Sequence, residues 1–243
     1  YAGAATITYR VVDQVGETWF LKNYLNYYKV NRIDGLLADL GVSSHHFNTP
    51  GRGFTYRTDS KLDMRMNQGS EVTAEKIINE YDGRHLADLF REFGELQQAR
   101  KLAAATTQAR AIQRIDTSNR LIDCIAPLVP KQNENQFLSR VFQALRIEVN
   151  RELENLKDLL FAATEMLSPG GRLVIISYHS LEDRLVKNFM RWGNPSEPPE
   201  KDLFGNSRQT FDIITRKPIT AGEQEVNANP RARSALLRIA EKK

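Results

Sequence analysis

A short apolar run, LVII at positions 173–176, constrains the fold more than any other stretch of this chain. Two glycines precede it, and its aliphatic and β-branched residues are typical of a strand buried in the centre of a sheet. A second buried strand is predicted at 33–40, and residues with helical spacing occupy 19–28 and 180–192. This alternation predicts an α/β fold in which helices cover both faces of a parallel sheet.

The longest helix is predicted at 139–167, where apolar residues recur every three or four positions. We expect Ser139 to cap its start and the SPGG sequence at 168–171 to end it. Two further strands are predicted near the end of the chain, at 211–219 and 234–242.

Residues 49–138 contain no convincing strand. A loop rich in glycine and charge occupies 48–70, and helical patterns then continue to about residue 137. We therefore expect an all-helical domain at 49–138, inserted between the two parts, 1–48 and 139–243, of the domain that holds the sheet.

A single cysteine, Cys124, excludes an internal disulfide and a thiolate metal cluster, which fits a reducing cytoplasm. No apolar run approaches the roughly 20 residues needed to span a bilayer, and no spacing of His, Cys and Asp suggests a metal. The first ten residues lack a basic flank followed by an apolar block. We therefore expect a cytoplasmic protein with no signal peptide and no membrane partner.

The positive charge is concentrated at the end of the chain. Residues 208–243 hold eight Lys/Arg and four Asp/Glu, so this segment alone accounts for the formal net charge of +4. A basic segment on a neutral body favours a polyanionic partner such as nucleic acid, and the alternative is a solvated basic surface. Charge alone does not decide between them.

Polar residues follow both strongly predicted strands. Asp39 ends the first, and Gly41 then allows a tight turn into small polar residues that include Ser43 and Ser44. His179 follows the second strand. Since ligands in such sheets bind at the carboxyl ends of the strands, we expect a polar ligand here, the alternative being that Asp39 only caps the turn.

Five separated stretches carry a resemblance to a known family, in the order in which that family has them. They are DGLLADLGVSS, RGFTYRTDSKLDMRM, FQALRIEVNRELENL, PGGRLVIISYHSLEDRLVKNFMR and NPRARSALLRIAEK. From about residue 16 to its end, the chain resembles the ribosomal RNA small subunit methyltransferase H family. This implies a Rossmann-like class I methyltransferase sheet with an inserted helical domain. It also implies methylation of the N4 amine of a cytidine in small-subunit (16S) ribosomal RNA.

The resemblance implies S-adenosylmethionine as the methyl donor. It implies that Asp13, Asp39 and His46, the last where a glutamine is common, contact this cofactor. Small-subunit ribosomal RNA or the small ribosomal subunit is the implied partner, and a homodimer is left open. The DLGVSS loop has neither the prolines nor the aromatic residue of the Asn/Asp-Pro-Pro-aromatic loop in other amine methyltransferases, so that mechanism does not carry over.

Four residues are candidates for catalysis. Asp39 could accept the proton of the cytosine amine, while Ser43 and Ser44 could orient the base. His179 is either catalytic or RNA-facing, or else a strand-end histidine bonded to backbone.

The chain departs from the family at its start. The glycine-rich loop that holds the methionine part of the cofactor has no counterpart here, and Thr18 stands where the family has an aromatic residue. We expect that the sequence is an incomplete record of a longer protein. The alternative is a degenerate methyltransferase fold, acting as a non-catalytic basic protein that binds RNA or ribosomes. An unrelated nucleotide-binding α/β enzyme is the third possibility, and the five-stretch match weighs against it.

Two basic stretches are candidates for RNA contact. In the loop after residue 50, cations alternate with aromatic residues and could grip phosphates and stack bases. Its members are Arg52, Phe54, Tyr56, Arg57, Lys61 and Arg65. The alternative is a loop pinned by its own hydrogen bonds. Arg231 and Arg233, after Asn229-Pro230, could hold phosphates in the same way.

Overall fold

The computed structural model describes residues 20–42, 49, 51–195 and 209–243. Its helices are α1 (Phe20–Tyr27), α2 (Ala74–Glu80), α3 (Gly83–Glu92), α4 (Ala99–Ile112), α5 (Ser118–Ile125), α6 (Glu134–Asn150), α7 (Glu152–Met166), α8 (Ser180–Trp192) and α9 (Glu223–Ala228). Its strands are β1 (Ile33–Asp39), β2 (Leu167–Ser177), β3 (Phe211–Ile213), β4 (Ile219–Thr220) and β5 (Leu236–Lys242). Short 3₁₀ turns occupy Ala126–Leu128 and Pro230–Ser234. The predicted α/β class is confirmed.

The described sheet is mixed rather than parallel. Its strand order is β1-β2-β5-β3, with β4 also paired to β5. Strands β1 and β2 are parallel, whereas β5 is antiparallel to β2, β3 and β4. The prediction of a parallel sheet is therefore wrong for β5. Only α9 and a 3₁₀ turn separate β4 from β5, and neither is a full crossover helix of the kind that a parallel return requires.

Strand β2 is an inner strand of the described sheet, and β1 is less buried than predicted. Leu173 and Ile175 of β2 are fully buried, as expected for the LVII run. In β1, by contrast, Leu37 is 66% exposed. Among the described residues β1 pairs with β2 on one side only, so one face and one edge of it remain open.

The helix predicted at 139–167 is two helices. Arg151 separates α6 from α7 and adopts a left-handed backbone conformation with φ of 49°. Helix α6 begins at Glu134, so Ser139 lies inside it, and its hydroxyl bonds the Tyr56 hydroxyl at 3.1 Å instead of capping. The apolar spacing continues across the break, which is why periodicity alone did not show it.

Two clusters of buried hydrophobic residues form the core. We call the first the helical cluster: it runs from Phe54 to Val149 and includes the buried faces of α2 to α6. The second, the sheet cluster, combines α1, α7, α8 and the strands around residues such as Leu160 and Phe189. The division predicted between residues 138 and 139 thus falls inside α6. Among the helices that the structure describes, none combines the length and the apolar character required to cross a bilayer.

Two cations hold the C-terminus of α7 at the start of β2. Arg32 Nη1 donates to the carbonyls of Glu165 and Leu167, at 3.2 and 3.1 Å. Lys242 Nζ donates to the carbonyls of Thr164 and Leu167, and burial together with the nearby Arg32 charge lowers its pKa. Cations are favourable at the negative end of a helix, and these two fix the start of β1 and the end of β5 beside β2.

Candidate active site at the carboxyl edge of the sheet

Three segments meet at one edge of the sheet. Because β1 and β2 are parallel, with Asp39 opposite Ile176, both strands end here. Strand β5 is antiparallel and begins here, with Leu236 opposite Ser177. The residues after β1 and β2 and the turn before β5 therefore converge, as the strand-end argument predicted.

Asp39 is held by a residue that the sequence analysis did not single out. The Tyr178 hydroxyl donates to Asp39 Oδ1 at 2.8 Å. Burial and this bond to a carboxylate raise the pKa of Tyr178 to about 12, so the phenol keeps its proton at neutral pH. Within the part of the chain that the structure describes, Asp39 Oδ2 has no hydrogen-bond partner, and Asp39 is exposed. Among the described residues, Tyr178 therefore fixes one carboxylate oxygen and leaves the other for a further contact.

Gly41 turns the chain away from the sheet directly after Asp39. Its φ is 90°, a conformation that favours glycine, and a Cβ there would lie 3.3 Å from the Tyr178 ring. Val42 then packs against the helical cluster. The predicted tight turn at Gly41 is confirmed, and it lets the Tyr178 ring approach the backbone.

His179 caps helix α8. Its Nδ1 accepts the Glu182 amide at 3.4 Å, and its Nε2 lies 3.2 Å from Glu182 Oε1. The side chain is 9% exposed. The ring is thus inside the protein and bonded to backbone, which corresponds to the second of the two predicted interpretations.

A buried ion network surrounds His179. Glu182 Oε2 accepts the Tyr178 amide at 2.9 Å, and Arg146 of α6 binds both oxygens of Glu152 at 2.7 and 2.8 Å. Burial acts to raise the pKa of Glu182. The bonds from His179 and the Tyr178 amide, with the charge of Arg146, outweigh burial and hold that pKa below its usual value. The network joins α6, the start of α7 and the start of α8.

Three of these residues lie close enough together to bind a metal ion, but the hydrogen bonds that they make argue against one. Ligand atoms of Glu152, His179 and Glu182 lie within 4.8 Å of one another. However, His179 Nδ1 accepts an amide proton, so the ring proton is on Nε2, the atom that faces Glu182. Arg146 already occupies both oxygens of Glu152, and the positive end of α8 also disfavours a cation. The cluster is better described as an ion network.

Glu95 joins the helical cluster to the same region. It accepts Ser180 Oγ and Arg184 Nη2, both at 2.7 Å, and it adopts a left-handed conformation with φ of 49°. The Ser180 bond lowers its pKa, burial opposes this, and the Arg184 bond and charge add to the lowering. A strained backbone at a residue other than glycine is kept only where other contacts hold it. No pattern in the sequence indicated this contact.

Several predicted site residues lie outside the described residues. They are Asp13, Ser43, Ser44 and His46. Of the six predicted catalytic or cofactor-binding residues, the structure therefore places Asp39 and His179, which follow neighbouring strands at this edge. Tyr178 joins them and was missed, although an aromatic residue directly after a buried strand was a usable signal.

Part of the basic loop after residue 50 is pinned by its own hydrogen bonds. Arg65 makes two bonds of 2.8 Å to the Asp63 carboxylate, and Arg52 Nη2 donates to the Arg65 carbonyl. Phosphate gripping by Arg52 and Arg65, one of the two predicted interpretations, is therefore not supported. Arg57 and Lys61 are exposed.

The aromatic residues of that loop are also used internally. Phe54 is buried in the helical cluster. The Tyr56 hydroxyl bonds the Asn135 carbonyl at 3.2 Å, and its ring packs edge-on against Phe142. Base stacking by these two rings is therefore not supported either.

The turn before β5 brings two arginines to the same edge of the sheet. Asn229 Oδ1 accepts the Arg231 amide at 3.2 Å, and Ala232 is buried, so the turn Pro230–Ser234 is anchored. Arg231 and Arg233 are exposed. Arg238, which the charge analysis counted with them, is instead buried and bonded to Asp183 at 2.6 and 2.9 Å.

Comparison with known proteins identifies the family. A family model described as the MraW methylase family matches residues 8–243. The chain belongs to the MraW methylase family. This MraW methylase is 52% identical over 224 residues to a protein of Phocaeicola vulgatus named "Ribosomal RNA small subunit methyltransferase H", a match that spans 92% of this chain and 74% of the relative. Proteins with the same name from Bacteroides fragilis and Christiangramia forsetii are 51% and 48% identical, with 92% and 74% covered in both. The resemblance found in the five stretches is confirmed.

The methyl donor of MraW methylases is S-adenosylmethionine. The edge fits such a ligand, because the exposed Asp39 carboxylate can accept from amino or hydroxyl groups. When bound, the donor supplies an electrophilic methyl group on a sulfonium.

Proposed function

We propose that this MraW methylase transfers a methyl group to the N4 amine of a cytidine in small-subunit (16S) ribosomal RNA. The observation that carries this is the family match over residues 8–243, with the Asp39 carboxylate fixed at the carboxyl edge of the sheet. Relatives named ribosomal RNA small subunit methyltransferase H support the class of RNA. The choice of the N4 amine as the methylated group rests on the resemblance described above.

In this proposal the Asp39 carboxylate, held in one orientation, accepts hydrogen bonds and the proton of the cytosine amine. Methyl transfer is a direct displacement, so its main requirement is alignment of the reacting groups. Asp13, Asp39 and His46 contact the donor, and Ser43 and Ser44 orient the base. The N4 lone pair of cytosine is conjugated with the ring, so an acceptor beside the amine would raise its nucleophilicity and receive its proton.

The RNA contacts in this proposal come from exposed cations. A cytidine in a helix does not reach a catalytic site, so we expect the base to be flipped out or single-stranded. Arg57, Lys61 and Arg233 are exposed and suited to phosphates. Small subunits are assembled in the cytoplasm, which we propose as the location. Sedimentation of the purified chain would test the homodimer left open above.

We further propose that the inserted helical domain extends from residue 49 to the break at Arg151. Helix α6 contributes Leu145 and Val149 to the helical cluster, whereas α7 contributes Leu156 and Leu160 to the sheet cluster. In the same proposal His179 has a structural role as the cap of α8, because its ring is bonded inside the ion network.

The test is transfer from labelled S-adenosylmethionine to small subunits and to naked 16S RNA, with the methylated nucleoside identified. We expect N4-methylcytidine from the wild type and at least about a tenfold loss of kcat/KM in Asp39→Asn, the size of one charge-assisted contact. Asp34→Asn is the matched control, since Asp34 is exposed on the same strand. A wild-type chain that binds RNA but neither binds the donor nor transfers methyl would contradict the proposal and favour the non-catalytic alternative.

A further inference from the structure

Tyr178 lies where the sheet, the Asp39 turn and the ion network meet. Its hydroxyl donates to Asp39 Oδ1, its ring packs beside Gly41, and its amide donates to Glu182 Oε2. Only Tyr178 and His179 separate the end of β2 from the start of α8. The residue therefore has little freedom to move by itself.

The Asp39 side chain needs such a contact if it is to bind a ligand in one orientation. Asp39 is exposed at the end of a strand, so its carboxylate would otherwise sample several rotamers. Fixing one oxygen removes part of the entropy cost of binding. A neutral phenol also leaves the negative charge of Asp39 intact, whereas a lysine or arginine would neutralise it.

Tyr178 is itself held from behind. Glu182, whose side chain is 4% exposed, binds the Tyr178 amide and lies beside His179. Arg146, which fixes Glu152, adds its charge to the same network. Because these hydrogen bonds and charges hold the Tyr178 backbone, the phenol is attached to a well-fixed segment.

We propose that Tyr178 is a positioning residue for the methyl donor: its hydroxyl fixes the Asp39 carboxylate so that Oδ2 faces the bound cofactor. This rests on the proposed function of Asp39 as a donor contact. Tyr178 acts through Asp39 and does not itself touch the reacting atoms.

The test is Tyr178→Phe, which removes the hydroxyl and keeps the ring against Gly41. We expect the Kd of S-adenosylmethionine, measured by calorimetry, to rise about 3- to 10-fold, the net value of one ordinary hydrogen bond, because solvent partly replaces this contact. The KM for the donor should rise by the same factor, and this rise should exceed any fall in kcat at saturating donor. Tyr81→Phe is the matched control, because the Tyr81 hydroxyl donates to Glu148 at 2.7 Å within the helical cluster.

A double-mutant cycle distinguishes positioning from a structural effect. In an Asp39→Asn background, Tyr178→Phe should change the Kd by less than about twofold. This inference would be overturned by an unchanged Kd in Tyr178→Phe, or by an equal loss of donor affinity with and without the Asp39 carboxylate. In either case the proposed function would stand as long as the wild type methylates RNA. If Asp39→Asn alone leaves the Kd unchanged, both the donor contact and this inference fail.

Discussion

Removing Arg238 should destabilise the sheet cluster strongly. Its guanidinium makes two parallel bonds to Asp183, joining β5 to the first turn of α8. The two side chains are 8% and 17% exposed. Arg238→Met keeps most of the side-chain volume but leaves the Asp183 carboxylate buried without its cation.

The magnitude follows from that burial. Breaking a buried ion pair by removing one partner costs about 3–5 kcal/mol, and the remaining exposure of Asp183 places this pair near 3 kcal/mol. For a chain of this size, 1 kcal/mol lowers Tm by about 2–4 °C, so Arg238→Met should lower Tm by about 6–12 °C. Replacing both partners, as Asp183→Leu with Arg238→Met, should bring the stability back to within about 1 kcal/mol of the wild type.

Thermal and urea unfolding of the wild type, both single variants and the double variant provide the assay. Arg172→Met is the control, because Arg172 of β2 pairs at 3.3 Å with Glu241 of β5, the strand that carries Arg238, but is 64% exposed. That variant should lose only about 0.2–1 kcal/mol. If Arg238→Met loses no more than the control, or if the double variant loses the sum of the two singles, the reasoning from burial is refuted.

Three further predictions concern the loop after residue 50 and the contacts of the helical cluster. Gly53→Ala should cost at least about 3 kcal/mol in urea unfolding, since φ is 75° and a Cβ would lie 2.3 Å from the Lys61 carbonyl; Gly51→Ala, with open space, should cost only about 1–2 kcal/mol. Arg57→Glu should weaken RNA binding and reduce the slope of log K against log salt concentration by about one or more, while the affinity for the methyl donor is unchanged. An unchanged slope would contradict a phosphate contact by Arg57. Glu95→Gln should be less stable than the wild type at neutral pH. Because the folded-state pKa of Glu95 is below the ordinary 4.5, the stability difference between wild type and variant is present above pH 4.5 and disappears as the pH falls through the folded-state pKa. A stability difference that persists in acid would contradict this prediction.

The sequence was sufficient for β1, β2, β5 and the family, because these are written in short contiguous stretches. The single strand predicted at 211–219 was wrong: the structure has two short strands there, β3 and β4. The LVII run gave the buried centre of β2, and the DLG turn gave Asp39 and the positive φ of Gly41. The direction of β5 was not accessible, since an apolar strand has the same pattern whether it runs parallel or antiparallel.

The remainder of the site depends on contacts between distant positions. Arg146 and Glu182 are 36 positions apart in sequence, and Glu95 is 85 positions from Ser180. No periodicity marks such pairs, and the aliphatic spacing through Arg151 concealed the end of α6. Tyr178 was closest to being found, because it adjoins His179, which the sequence analysis did select.

The pairing of β1 with β2 also bears on how the chain reaches its native state. Asp39 and Ile176 lie opposite each other in the sheet although they are 137 positions apart in sequence. Pairing them closes a long loop, which has a large entropy cost. Val42 and Val149 both pack on the helical cluster, so early collapse of that cluster shortens the effective distance between the two strands. By packing on one cluster, the intervening helices therefore reduce the loop-closure cost of pairing β1 with β2.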